Sequence, residues 1–161
     1  MIHIRRAGTL DARPMAELLN SIIEKGGTTA YTETVSPDVM VEKMSRSQPR
    51  AVWHVAEDDT GAILGFQFFK PHPDLPEDAC DIATFVQIGQ TGLGIGSKLF
   101  EASREAARTM GFAWINATIR GDNAGGLAYY QSRGFEDYAR LSDQRLANGS
   151  IVDKICKRID L

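Results

Sequence analysis

The spacing of apolar residues changes period repeatedly along this chain, and each change marks an element. His3 to Arg6 reads as a short strand. Met15, Leu18, Leu19, Ile22 and Ile23 then recur every three or four residues, the stripe of an amphipathic helix. Asp11 is placed to cap that helix, Pro14 fits its first turn, and Gly26-Gly27 ends it. Ser36-Pro37-Asp38 has the composition of a second helix start, with Val39, Met40 and Met44 as the buried face. Residues 51–57 and 62–69 are strand-like around Asp58-Asp59-Thr60-Gly61, a hairpin-turn composition. Residues 71–77 hold three prolines and read as a loop. Ile82 to Val86 is a strand, and Ile95, Leu99, Ala102, Ala106 and Met110 give a helix that stops at Gly111. Residues 113–119 form a strand, and 124–132 a short helix broken by Gly134. The last two strands, 135–141 and 151–158, join through Asn148-Gly149. The order β-α-α-β-β-β-α-β-α-β-β predicts an α/β domain around a central mixed sheet.

Between the strand at Ile82 and the helix at Ile95 lies the most informative stretch. Gly92, Gly94 and Gly96 stand at every second position where a strand turns into a helix. Glycine there lets backbone N–H groups approach a ligand. The helix N-terminus adds unpaired donors and partial positive charge, which together suit a phosphate. A dinucleotide fingerprint needs G-x-G-x-x-G, and a Walker A loop needs Gly-Lys-Ser/Thr; the spacing here, with Gly96-Ser97-Lys98, matches neither.

Composition narrows the function classes. The chain has 161 residues, 43% apolar and 24% charged, which predicts one domain spanning 1–161 with a full core. A net charge of −3, with Lys and Arg scattered among carboxylates, gives no reason to expect a nucleic-acid partner. No apolar run approaches membrane-spanning length, and residues 1–6 lack a signal-peptide core, so no membrane is expected and the expected location is cytoplasmic. Cys80 and Cys156 lack metal-ligand spacing, so neither a disulfide framework nor a metal is expected.

A second segment gives the glycine turn a context. Asn123 to Phe135 resembles the N-x-x-A-x-x-x-Y-x-x-x-G-F segment of the GNAT acyltransferase superfamily. The glycine turn resembles that superfamily's R/Q-x-x-G-x-G/A acyl-CoA loop, with Gly94 and Gly96 as the two small residues. The order of elements is similar as well. The resemblance implies the GNAT acyl-CoA N-acyltransferase fold: an α/β architecture of about seven strands flanked by about four helices. Within the superfamily, Ala30-Tyr31-Thr32-Glu33 and Asn148 to Asp153 look most like phosphinothricin acetyltransferase and related L-amino-acid N-acyltransferases. Two positions depart from the pattern. Thr91 stands where the family has Arg or Gln, and Ile88 where it often has Pro.

The resemblance implies transfer of acetyl from acetyl-CoA, the donor substrate, to a primary amine of a small molecule, an amino acid or an amino-acid-like xenobiotic, by direct attack. The CoA pyrophosphate falls to Thr91, Gly92, Leu93, Gly94, Ile95, Gly96 and Ser97. Phe85, Val86 and Gln87 would pair with the pantetheine arm through backbone groups, with the Val86 N–H as oxyanion donor. Tyr130 matches the family tyrosine and is the candidate acid, since a phenol stays protonated at neutral pH; the alternative is a packed ring. Tyr129 is expected only to pack. Asn123 either contacts CoA or caps its helix, or both. Asp81, read as lying at a strand start, is the first candidate base; the alternative is a solvated acid. Glu33 is a second candidate, placed with Tyr31 on the acceptor side. His54 is expected to be structural and His72 a surface residue. A homodimer is expected by family analogy. Two alternatives stand beside this reading: a non-catalytic acyl-CoA-binding or sensing domain, and an acetyltransferase with a protein acceptor.

Overall fold

A computed structural model describes residues 1–46, 49–90 and 94–161. The elements follow in the expected order: β1 (His3–Arg6), α1 (Ala12–Lys25), α2 (Pro37–Arg46), β2 (Val52–Glu57), β3 (Ile63–Lys70), β4 (Ala79–Val86), α3 (Ile95–Thr109), β5 (Trp114–Arg120), α4 (Ala124–Ser132), β6 (Glu136–Arg145) and β7 (Ile151–Asp160). A 3-10 turn at Thr9–Asp11 leads into α1. Ser36 caps α2 as expected, accepting from the Val39 N–H at 3.1 Å. Asp11 does not cap α1 with its side chain. Its carboxylate accepts from the Gly8 N–H at 2.8 Å and from both arms of the Arg5 guanidinium instead, a bidentate charge-assisted pair that turns it away from the helix.

The strands form one seven-stranded sheet in the order β1-β2-β3-β4-β5-β7-β6. All neighbours are antiparallel except β4 and β5, which are parallel. Alternation along each strand divides the core between two faces. Trp53, Val55, Phe66, Phe68 and Phe85 pack beneath α1 and α2 with Met15, Leu19 and Met40. Val52, Phe69, Cys80, Ile82 and Ile115 pack on the other face with Phe100 of α3 and Tyr130 of α4. Gly65 lets α3 press on β3: a Cβ there would stand 3.1 Å from the Ile95 side chain and 3.0 Å from the Phe85 carbonyl oxygen. That contact fixes the height of the α3 N-terminus above the sheet.

Strand β4 starts three residues before Ile82, so Asp81 is an interior strand residue and not a strand start. The added residues are the ones that pair with β5: Ala79 with Trp114, Cys80 with Ile115, Asp81 with Asn116. Pairing ends there, although β4 runs on to Val86 and β5 to Arg120. The two strands therefore diverge beyond Asp81 and leave a gap in mid-sheet. β6, almost wholly exposed, is held along β7 through two register shifts.

Candidate active site

The gap between β4 and β5 opens into a cleft of about 1440 Å³. Its walls are the diverging ends of the two strands, the start of α3, one side of α4, and the loops at 28–31 and 72–75.

Backbone parity decides what β4 offers to the cleft. The Gln87 N–H donates to the Leu64 carbonyl at 2.8 Å. In an antiparallel ladder bonded pairs alternate, so Phe85, paired with Phe66, also turns its backbone groups toward β3. Thr84 and Val86 turn theirs the other way, where β5 has left. Of the three residues expected to pair with an extended ligand, Val86 turns its backbone groups away from β3 without a strand partner among the described residues, and Thr84 joins it. Gln87 is exposed, does not line the cleft, and has its N–H committed; this corrects its expected role. Phe85 contributes only its ring, stacked at a tilt on Phe66 with centroids 5.0 Å apart.

At the start of α3, Gly94 is the N-cap, with φ 77° in the left-handed region. Gly94, Ile95, Gly96 and Ser97 line the cleft. Thr91, Gly92 and Leu93 lie outside the described residues. Arg133, at the C-cap of α4, donates to the Ser97 hydroxyl and lies over the Tyr129 ring at 5.6 Å. It brings to this loop the positive charge that Thr91 does not carry.

Face alternation puts the two candidate proton-transfer groups on opposite sides of β4. Thr84 shares the α3/α4 face with Tyr130, whose hydroxyl lies 2.8 Å from the Thr84 Oγ. Tyr130 is buried, and burial pushes its phenol well above the ordinary range, so it holds its proton. Tyr129 does more than pack: its hydroxyl donates to the Gly96 carbonyl at 2.7 Å and accepts from Gln67 Nε2 at 3.2 Å. Asp81 lies on the opposite face. It is half-buried rather than solvated, and accepts from Asn116 Nδ2 at 2.8 Å. Burial raises its pKa; the Asn116 hydrogen bond and the charges of His72, Lys70 and Lys154 pull the other way without cancelling it. Asn116 in turn accepts from the Tyr138 hydroxyl.

The remaining expected residues divide. Tyr31 lines the cleft, its ring 6.3 Å from that of Phe85. Glu33 is exposed and outside the cleft, so the expected acceptor-side role does not hold for it; its side chain sits on the solvent side of the loop before α2. Asn123 lines the cleft and caps α4, accepting from the Gly126 N–H at 3.0 Å and donating to the Thr28 carbonyl at 3.1 Å. Arg120 also donates to the Thr29 carbonyl, at 3.1 Å, so the 28–29 loop is tied to the far wall. His72 lines the cleft rather than the outer surface. Cys80 is buried, and burial pushes its thiol up to about 12, which suits a structural rather than a nucleophilic cysteine. Asn116, Tyr138, Arg133 and Gln67 carry no sequence signal of their own; each enters the site through a contact with a residue distant in the chain.

The Acetyltransferase (GNAT) family profile matches residues 16–135. Among curated relatives, the phosphinothricin N-acetyltransferase of Streptomyces viridochromogenes is 24% identical over 136 residues, covering 83% of this chain and 74% of that protein. The YwnH protein of Bacillus subtilis, whose name places it with the phosphinothricin acetyltransferases, is 27% identical over 138 residues, covering 84% of each chain. Among solved structures, the phosphinothricin acetyltransferase of Sinorhizobium meliloti in complex with acetyl-CoA superposes with a TM-score of 0.90 at 20% identity, covering 99% of this chain and 88% of that one. The strand divergence, the glycine-capped α3 and the Asn123–Phe135 segment thus belong to a shared architecture: the chain is a member of the GNAT acetyltransferase family, close to the phosphinothricin N-acetyltransferase type.

Proposed function

We propose that this acetyltransferase moves the acetyl group of acetyl-CoA to the primary amine of a small, amino-acid-like molecule by direct attack. The observation that carries the reading is the divergence of β4 and β5 beyond Asp81, which places Tyr130 and Asp81 on opposite faces of one strand and beside one cleft. A thiol can leave on one face while an amine enters from the other.

The N–H groups at the start of α3, with the Arg133 guanidinium beside them, suit the CoA pyrophosphate. The outward-turned backbone groups of Thr84 and Val86 suit the amide-bearing pantetheine arm, as an added strand would. The neutral amine attacks the thioester carbonyl carbon and a C–N bond forms. The carbonyl oxygen becomes an oxyanion, and the Val86 N–H faces the place where that charge develops. The C–S bond then breaks, Tyr130 gives its phenolic proton to the departing thiolate, and the Asp81 carboxylate takes the proton released by the amine, directly or through water. A raised pKa strengthens a carboxylate as a base. Tyr31, His72 and Lys154 line the acceptor side and mix an apolar ring with both donor and acceptor groups, which suits a zwitterionic small molecule. We place the protein in the cytoplasm, where its two free, buried cysteines stay reduced. We also propose a homodimer, supported by Tyr138 and Leu141, exposed on the edge strand β6; sedimentation velocity showing monomer alone would end that part.

The test is thiol release from acetyl-CoA against a panel of primary amines that includes phosphinothricin and the common amino acids, with acetyl-CoA binding followed by calorimetry. Turnover with a small amine supports the reading. Tight acetyl-CoA binding without turnover on any small amine replaces it with a binding domain or a macromolecular acceptor.

A further inference from the structure

We propose that Gln67, through Thr84 and Tyr129, orients the Tyr130 proton toward the cleft; Gln67 and Thr84 are then positioning residues for the leaving-group step. The inference rests on the reading of Tyr130 as the acid.

One fixed acceptor orders the start of this network. The Gly96 carbonyl can only accept, so the Tyr129 hydroxyl, 2.7 Å away, donates to it. With its one proton spent, the Tyr129 oxygen accepts from Gln67, 3.2 Å away, which requires the amide nitrogen on that side. The second hydrogen of the same nitrogen goes to the Thr84 Oγ at 2.8 Å. The same hydroxyl lies 2.8 Å from the Tyr130 oxygen and also interacts with the Tyr129 hydroxyl, whose proton is already spent on Gly96. The Thr84 proton is assigned to Tyr130, its partner at 2.8 Å, and the Tyr130 proton then has no protein acceptor among the described residues. Tyr130 lines the cleft, so that proton is available to a departing thiolate. With the amide reversed, Thr84 would donate to Gln67 and accept from Tyr130, and the acid would be turned inward.

The surroundings hold this arrangement in place. Gln67 is wholly buried in the middle of the sheet, between His54 on β2 and Thr84 on β4. A buried amide with both hydrogens engaged does not rotate freely, because breaking either bond leaves a donor unpaired. The hydrogen-bond chain also begins at Gly96, in the first turn of α3, at the end assigned to the pyrophosphate. A Cβ at Gly96 would stand 2.6 Å from the Tyr129 ring, so glycine is what allows that tyrosine to reach the carbonyl in the first turn of α3.

Thr84→Val removes the hydroxyl while keeping shape and β-branching, and Thr84→Ser restores it. Thiol release from acetyl-CoA is followed with phosphinothricin as probe amine, or with water alone as acceptor where that amine is not taken. Thr84→Val should lower kcat by about tenfold or more, within the range of general acid catalysis, with KM for acetyl-CoA unchanged. Thr84→Ser should recover most of the loss, and Thr84→Val with Tyr130→Phe should be no slower than Tyr130→Phe alone. Wild-type kcat in Tyr130→Phe removes the acid reading and this inference with it. A slow Tyr130→Phe beside a fully active Thr84→Val removes this inference alone. A readout free of turnover is the Gln67 side-chain amide in ¹⁵N-edited NMR: both protons should be protected from exchange in the wild type and lose protection in Tyr129→Phe. Fast exchange in the wild type overturns the proposal.

Discussion

Asn116 donates to Asp81 at 2.8 Å across the last rung that β4 and β5 share. The bond stabilises the ionised carboxylate, while burial favours the neutral acid and prevails. Removing the donor should therefore move the pKa further up. In Asn116→Ala the acid limb of the kcat profile is expected at higher pH than in the wild type. Asp81→Asn should lower kcat by about 10²–10⁴-fold if the carboxylate is the base. A carboxyl raised on folding contributes stability at low pH that is lost as pH rises through its folded value. Asp81→Asn should thus raise the melting temperature at neutral pH and leave it unchanged in acid. An Asp81→Asn enzyme with wild-type kcat would take the base role away from this residue.

Arg133 gives the start of α3 a full charge beside the partial charge of the helix end. Arg133→Gln should weaken acetyl-CoA binding by about tenfold at low salt, the size of one charge-assisted contact, and by less at high salt where screening shortens its reach. Equal loss at both ionic strengths would mean that Arg133 acts by packing on Tyr129 and Ser97 rather than by charge.

Gly94 is the N-cap of α3 at φ 77°, and a Cβ there would touch nothing within 4 Å among the described residues. A side chain at this position thus costs backbone strain without a steric clash. Gly94→Ala should lose about 1–2 kcal/mol of stability in urea titration, and Gly94→Asn less, because Asn tolerates the left-handed region. Acetyl-CoA affinity should fall in the same order. Undiminished stability in Gly94→Ala would show that the turn relaxes to another backbone path.

The parts of this protein that sequence made legible are local in the chain. The Ile95–Leu99 spacing, the Ser36 cap and the Asn123–Phe135 segment each carry their signal within a few turns of backbone, and the structure places them as expected. What was not legible depends on partners far away. β4 extends back to Ala79 because β5 pairs with it 35 residues downstream, and nothing local in Ala79-Cys80-Asp81 announces a strand. At Gln87 a register slip of one residue reverses which backbone groups face out, and only the bond to Leu64 settles the parity. Glu33 stands on a loop, where the direction of a side chain follows from the packing of adjoining helices. Gln67 sits in a phenylalanine-rich strand, and its importance arises from Thr84 and Tyr129, which lie 17 and 62 residues away.

His54 stands beside Gln67 on the same buried row, between Arg6 and Gln67 in the sheet register, and its Nδ1 has no hydrogen-bond partner among the described residues. Burial, with a smaller push from the Arg6 charge, lowers its pKa from 6.5 to about 4. The folded protein therefore binds a proton at His54 less readily than the unfolded chain. A depressed histidine contributes its stability in full above pH 6.5 and loses it as pH falls toward 4. The size of the shift corresponds to about 3 kcal/mol. Asp81 acts in the opposite direction over part of this range, since its protonation favours the folded state. The measurement must therefore be a difference: urea denaturation of the wild type and of His54→Gln, which does not titrate, at steps from pH 7.5 down to 4.5. The wild type should lose stability relative to the variant as pH falls through that range. Parallel curves would show that water reaches the imidazole and that the row is wetter than its burial implies.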